Sequence, residues 1–229
     1  DGTVLVQVNQ DREENYRFTE AARHDPFIKG VVGWVDLVAE DLAEQLQELK
    51  NLPQLKGFRH IAQAEPPDYL ARKEIIKGIK ELGKQGFTYD ILVKPDQLEA
   101  AIELVKACPD QPFVLDHIAK PYIKAGKIEG WQKHMQEMGK LHNLSCKVSG
   151  IITEADWKHW TAEQIAPYLE ITWEAFGAKR LLFGSDWPVC LVAGSYKQVV
   201  ELAGGFVQAL SSDEQADFWG GNAVRFYRL

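Results

Sequence analysis

The sequence has few of the features that mark nucleic-acid-binding, membrane-embedded or disulfide-bonded proteins. It contains no basic block, and its formal net charge of −7 comes from interspersed acidic and basic residues, which argues against a nucleic-acid partner or an anionic membrane. No apolar run has the length needed to cross a bilayer. Cys108, Cys146 and Cys190 form neither a CxxC pair nor a disulfide framework. This cysteine usage predicts a reducing, cytoplasmic setting.

Seven short runs along the chain have the apolar, β-branched or aromatic character of buried strands. They are residues 3–8, 31–36, 57–62, 88–93, 112–118, 144–150 and 181–187. Segments with helical spacing of apolar residues lie between them. A regular alternation of this kind predicts a parallel sheet covered by helices.

Several of the intervening segments carry signals of helices and of helix ends. The apolar face of residues 40–50 is Leu42, Leu46 and Leu49, and that of residues 95–108 is Leu98, Ala101, Ile102 and Val105. Thr161 with Gln164, and Ser212 with Gln215, have the spacing of capping boxes at helix starts. Gly177 is typical of a helix end.

Seven such units are one short of a (β/α)8 barrel. The chain begins at Asp1 almost directly in a predicted strand, so we expect an upstream strand and helix of roughly 40 to 50 residues to complete the barrel. A doubly wound open sheet is the alternative, but no glycine-rich phosphate loop follows the first strand. We predict an α/β fold, a distorted (β/α)8 TIM barrel lacking its first strand, as a single domain over residues 1–229. The last helices, near residues 212–227, are expected to pack over it.

Polar or amphipathic side chains recur where the predicted strands end, which is where TIM barrels carry their active sites. They are Gln7, Asn9, Gln10, Trp34, Asp36, Arg59, His60, Asp90, Asp116, His117, Lys120, Lys147, Ser149 and Asp186. Buried charges are costly unless they are paired or used. The ring therefore predicts a pocket for a small-molecule substrate.

Within this ring, His117 and Asp186 offer an imidazole and a carboxylate that can hold a metal or move a proton. Each alone also fits a structural role, as a satisfied histidine or as a turn-forming aspartate. Arg59 and Lys120 can clamp a substrate carboxylate or stabilise an oxyanion. The structural alternative for both is an ion pair with Asp90 or Asp116.

Six segments of the sequence carry a resemblance to a known family. They are GVVGWVDL, KGFRH, FVLDHIAKP, CKVSGIITEADW, LLFGSDWPVC and GGNAVRFYRL, and together they resemble the amidohydrolase superfamily, in its amidohydrolase-2 branch of sugar-lactone hydrolases. The likeness runs from residue 1 to the C-terminus. It implies a distorted (β/α)8 barrel in which Asp186 activates water and His117 binds a metal or polarises the substrate carbonyl.

The resemblance leaves two alternatives for the cofactor. One is a single divalent metal ion, with zinc as the first candidate, bound by His117 and Asp186; the other is a metal-independent site, as in some relatives. Family members carry a His-x-His pair at the end of the first strand, and this sequence contains no such pair. Lys147 stands on the sixth visible strand in place of a histidine, which favours a mononuclear or metal-free site over a binuclear one.

The resemblance predicts a cytoplasmic, monomeric or homodimeric hydrolase of carbohydrate metabolism that opens a sugar-acid lactone. Its catalytic residues are predicted to be Asp186 and His117. The predicted substrate contacts are Gln7, Trp34, Arg59, His60, Asp90 and Lys120. A decarboxylase of the same superfamily and a non-catalytic barrel that binds a sugar acid are the alternatives.

Overall fold

A computed structural model describes residues 1–229, and its centre is a sheet of seven parallel strands in chain order. The strands are β1 (Thr3–Val6), β2 (Ile28–Gly33), β3 (Leu55–His60), β4 (Thr88–Ile91), β5 (Phe113–Leu115), β6 (Leu144–Val148) and β7 (Leu181–Phe183). Every strand pairs in parallel with the next, and the sheet curls into a partial barrel in which β1 and β7 are not paired with each other. The predicted α/β fold of the distorted (β/α)8 type is confirmed.

Nine helices surround the sheet. They are α1 (Arg12–His24), α2 (Leu42–Leu49), α3 (Lys73–Lys84), α4 (Leu98–Ala107), α5 (Glu129–Met138), α6 (Ala162–Phe176), α7 (Tyr196–Val207), α8 (Ser212–Ala216) and α9 (Asn222–Tyr227). All the apolar residues predicted to form the inner faces of α2 and α4 are buried. No helix has both the length and the apolar character required to cross a membrane.

One of the two predicted capping boxes is confirmed and the other is displaced. Thr161 and Gln164 cap α6 reciprocally, and Gly177 ends that helix at φ 65°. The second box is formed by Ser211 and Glu214, one residue before the predicted pair. Ser211 has the extended backbone of an N-cap, and the Glu214 carboxylate accepts hydrogen bonds from both its N–H and its hydroxyl.

The strands are shorter at their carboxyl ends than the sequence predicts. The predicted seventh strand reached residue 187, but β7 ends at Phe183, and the predicted fifth reached residue 118, but β5 ends at Leu115. A 3-10 turn, Asp116–Ala119, follows β5 directly. The apolar runs continue past the hydrogen-bonded ladder because these turn residues are buried as well.

The interior of the barrel differs from the core between sheet and helices. A separate cluster of buried residues comprises Val32, Val114, Leu182 and Tyr227, against which Val4 packs. Because Tyr227 is the last residue of α9, the C-terminal helix contributes a side chain to the inside of the barrel. The C-terminal helix α9 therefore places its Tyr227 hydroxyl beside Asp90.

Candidate active site

His117 and Asp186 come together at the carboxyl edge of the sheet. His117 lies in the turn after β5 and Asp186 in the segment after β7. His117 Nε2 is 3.7 Å from Asp186 Oδ1, and the two side chains are only 11% and 13% exposed. This separation is longer than a direct hydrogen bond, and it allows a single water molecule to bond to both atoms.

The backbone that carries these two side chains is unusual. The four residues His117 to Lys120 have φ angles of 55°, 46°, 58° and 49°, and Asp186 has a φ of 53°. Left-handed backbone is uncommon outside glycine and least expected for a β-branched residue such as Ile118. The turn is stabilised by Trp131, whose Nε1 donates to the Ile118 carbonyl at 2.8 Å in the buried interior. Sparsely populated backbone of this kind clusters at functional sites.

The end of β6 fixes the orientation of the imidazole. His117 Nδ1 lies 2.8 Å from Ser149 Oγ. Gly150 follows at φ 60°, and a Cβ at this position would be 2.8 Å from both Cγ and Nδ1 of His117. Glycine is therefore required for two reasons, the left-handed backbone and the space that the imidazole occupies.

Burial shifts the pKa values of both groups away from their ordinary range. Burial raises the pKa of Asp186 to about 6, an effect that the Lys120 charge opposes and the Asp116 charge reinforces. Burial lowers the pKa of His117 to about 3, against the opposing influence of Asp116. At neutral pH the site therefore contains a neutral imidazole beside a carboxylate that is mostly ionised. A carboxylate with a pKa near 6 is suited to accept a proton at neutral pH.

Four charged side chains form a buried network beneath this pair. Asp116 is 2.8 Å from both Arg59 Nη1 and Lys147 Nζ, and Lys147 Nζ is also 2.5 Å from Asp90 Oδ2. The Tyr227 hydroxyl donates to the same Asp90 oxygen at 2.8 Å. Burial would raise the pKa of Asp116, but the two cations outweigh it and hold the pKa below its ordinary range. Two cations thus compensate two anions, and one of these anions, Asp116, directly precedes His117 in the chain.

Two of the predicted substrate contacts are placed differently by the structure. Gln7 and Asp90 are fully buried. Gln7 Nε2 donates to the main-chain carbonyl of Arg59 at 3.1 Å, and the main-chain carbonyl of Gln7 accepts from Arg59 Nη2 at 2.6 Å. Asp90 is held by Lys147 and Tyr227. Both side chains are therefore part of the buried interior of the barrel. Arg59 forms an ion pair with Asp116, which is the structural role that the sequence left open for it.

Trp34 and His60 lie side by side at the ends of β2 and β3. The Trp34 indole N–H donates to His60 Nδ1 at 3.2 Å. Because an indole N–H can only donate, Nε2 carries the proton of a neutral imidazole, and that atom lies 3.0 Å from Glu65 Oε1. The His60 ring also stacks on Tyr69 at a centroid distance of 4.9 Å. The sequence did not single out Glu65 or Tyr69. Glu65 directly follows the 3-10 turn Ala62–Ala64 after β3, and Tyr69 begins the next 3-10 turn, Tyr69–Ala71.

Lys120 pairs with a residue that the sequence did not single out. Lys120 Nζ lies 2.7 Å from Glu154 Oε1, and the side chains are 17% and 22% exposed. Glu154 ends the 3-10 turn Ile152–Glu154 that follows β6. Its only signal in the sequence is its place as the first charged residue after the sixth strand. Neither Asp90 nor Asp116 pairs with Lys120.

The metal ion that the resemblance implies would be bound by His117 and Asp186. His117 Nε2 and Asp186 Oδ1 are near enough to share an ion, but a protein zinc site requires at least three protein ligands. No group of three or more His, Cys, Asp or Glu side chains with metal-binding geometry occurs among residues 1–229. These residues by themselves do not form a complete metal site.

Comparison with known proteins identifies the family. The Amidohydrolase family matches residues 1–229. An L-fucono-1,5-lactonase from Burkholderia multivorans is 34% identical over 99% of this chain and 80% of its own length, and one from Burkholderia ambifaria is 33% identical with the same coverage. The crystal structure of a Burkholderia multivorans amidohydrolase with bound zinc, 34% identical, superposes with a TM-score of 0.95 over 100% of this chain and 83% of that one. The protein therefore belongs to the amidohydrolase family.

Proposed function

We propose that this amidohydrolase opens a sugar-acid lactone by attack of water at the lactone carbonyl. The observation that carries the proposal is the pair formed by neutral His117 and ionised Asp186, 3.7 Å apart at the carboxyl edge of the barrel. The lactonase names of the two Burkholderia relatives support a lactone as the substrate. The proposal places the protein in carbohydrate metabolism. A cytoplasmic location is also proposed, supported by three buried free cysteines.

The reaction is assigned to the two side chains in the following way. Asp186 accepts a proton from water while the water oxygen bonds to the lactone carbonyl carbon. His117 donates from Nε2–H to the developing oxyanion, a role that requires the Ser149 hydroxyl to donate to Nδ1. The ring C–O bond then breaks, and Asp186 returns its proton to the leaving ring oxygen. The product is a hydroxy acid that ionises at neutral pH.

The proposed substrate contacts are limited to the residues that retain exposed surface at the pocket. Trp34 and Lys120 are part-buried, and the buried His60 keeps 10% of its side chain exposed beside Trp34. Arg59 is proposed to act on the site through Asp116 rather than through the substrate, because its Nη1 and Nη2 are both engaged by protein oxygens. No step of this reaction is assigned to a metal ion.

The decisive experiment is a screen of aldono-1,4- and 1,5-lactones of L- and D-sugars, including L-fucono-1,5-lactone, by proton release at neutral pH. The wild-type protein is compared with Asp186→Asn, before and after treatment with a chelator and with added zinc. Turnover of one sugar lactone by wild type and its loss in the variant supports the proposal. Release of carbon dioxide from hydroxybenzoates, or tight binding of a sugar acid without turnover, would replace it by one of the alternatives.

A further inference from the structure

The ion pair between Lys120 and Glu154 occupies a distinctive place in the molecule. Lys120 ends the left-handed turn that begins with His117, and Glu154 ends the turn after β6. The 2.7 Å contact therefore joins two neighbouring strand-end segments beside the His117–Asp186 pair, and it is largely shielded from solvent. Exposed ion pairs contribute little, but a shielded pair next to a reaction centre strongly affects which charged molecules can bind there.

Both partners act on the charge of Asp186. Apart from burial, which raises the pKa of Asp186, the Lys120 ammonium is the strongest single electrostatic influence and lowers it, while the Glu154 carboxylate raises it. Lys120 lies three residues after His117 at the end of the same turn, and Glu154 is 2.7 Å from it, so both charges lie near the reacting atoms. The Lys120 ammonium could form an ion pair with a bound anion, but it is already paired with the Glu154 carboxylate.

The proposed reaction changes the charge of the bound molecule. A lactone is uncharged, whereas the hydroxy acid formed from it carries a carboxylate at neutral pH. This carboxylate forms at the carbon that lies against Asp186. An unpaired ammonium at Lys120 would bind the product more tightly than the substrate and would slow its release.

We propose that Glu154 is a specificity-determining residue that keeps Lys120 paired, so that the site accepts an uncharged lactone and disfavours its anionic product. The inference rests on the proposed function. If the Lys120–Glu154 ion pair only held the two loops together, breaking it would weaken the binding of substrate and product alike. If Glu154 instead controls anion affinity, breaking the pair strengthens the binding of the product alone.

The test compares Glu154→Gln with a matched control, Asp156→Asn. Asp156 lies two residues further along and pairs with the exposed Lys124 at 3.3 Å, so the control removes the same charge from the same segment. Its Oδ1 accepts from the Lys158 N–H, and the amide oxygen of asparagine can retain that bond. Binding of L-fuconate is measured by titration calorimetry, and product inhibition and KM are measured with L-fucono-1,5-lactone.

In Glu154→Gln we expect about tenfold tighter binding of L-fuconate and an equal fall in its inhibition constant, with little change in KM. Asp156→Asn should match wild type, and adding Lys120→Gln to Glu154→Gln should abolish the gain. Unchanged or weaker L-fuconate binding in a folded Glu154→Gln protein, or the same gain in Asp156→Asn, would overturn the inference. Absence of lactone turnover by wild type overturns the proposed function instead, because calorimetry reports anion affinity without turnover.

Discussion

His117 and Asp186, the two residues that meet across the carboxyl edge of the barrel, share a left-handed backbone with φ angles of 55° and 53°. Each follows an apolar strand, and in each the reversal of φ brings the chain out of the strand direction. Two residues from separate strands thereby approach to 3.7 Å. A local backbone conformation that is unfavourable for most residues is maintained here at both halves of one site.

Replacing Asp186 by asparagine should reduce kcat/KM by a factor of about a thousand or more, because an amide cannot accept the proton of water. Asparagine tolerates left-handed backbone, so the melting temperature should change little. Kinetics on the lactone and a thermal melt by circular dichroism measure the two effects. Near wild-type activity in the folded variant would assign Asp186 to a turn.

Replacing His117 by asparagine should lower kcat by roughly a hundredfold or more, since a donor to the developing oxyanion is lost. Asparagine is chosen because it accommodates the φ of 55° better than alanine does. Ser149→Ala should give a smaller loss, because it removes only the partner of His117 Nδ1. Unchanged kinetics in His117→Asn together with a large fall in melting temperature would make His117 a structural residue.

Gly150→Ala should impair both stability and activity, whereas Gly126→Ala should impair stability alone. Both glycines have similar left-handed backbone, with φ of 60° and 62°, so both variants lose roughly 1–2 kcal/mol in the free energy of unfolding. A Cβ at position 150 would also meet the His117 ring, while at position 126 nothing lies within 4 Å. Urea unfolding measures the loss of stability in each variant, and kcat measures the loss of activity. Equal activity of the two variants would show that the ring position tolerates displacement.

Lys147→Met should lower the free energy of unfolding by about 3–5 kcal/mol, because it leaves Asp90 and Asp116 buried with one compensating cation fewer. Lys106→Met is the control. Lys106 pairs with Glu137 at 2.7 Å, but the side chains are 54% and 40% exposed, so the loss there should be below about 1 kcal/mol. Denaturant titrations of both variants give the comparison. Similar losses in the two variants would contradict a stabilising role for the buried network.

The rate should fall on the acid side with an apparent pKa near 6. Burial raises the pKa of Asp186 to about 6, and a general base must be deprotonated to act, so kcat/KM should drop about tenfold per pH unit below that value. His117, with a pKa of about 3, remains neutral throughout this range and adds no second limb. A pH–rate profile between pH 5 and 8, roughly the range where Asp186 titrates, tests this. A profile that is flat through pH 6 would show that another group is the base.

The sequence determined the architecture and the position of the central pair. Apolar periodicity is a local property, and it correctly predicts the parallel strands, the buried faces of α2 and α4 and the cap at Thr161. Strand order then follows from chain order, and the carboxyl ends of parallel strands share one edge. The placement of His117 and Asp186 at this edge was therefore accessible from the sequence alone.

The partners of the other polar residues were decided only by the tertiary structure. Local spacing places Gln7 and Asp90 within apolar runs and Lys120 just after one, but it does not show that the first two are enclosed in the barrel or that the third meets Glu154. The Tyr227 hydroxyl reaches Asp90 from the far end of the chain. Each pairing depends on the curvature of the sheet and on which cation lies nearest each carboxylate. Buried charges form whichever contacts compensate them within that shape, and periodicity along the chain does not encode those distances.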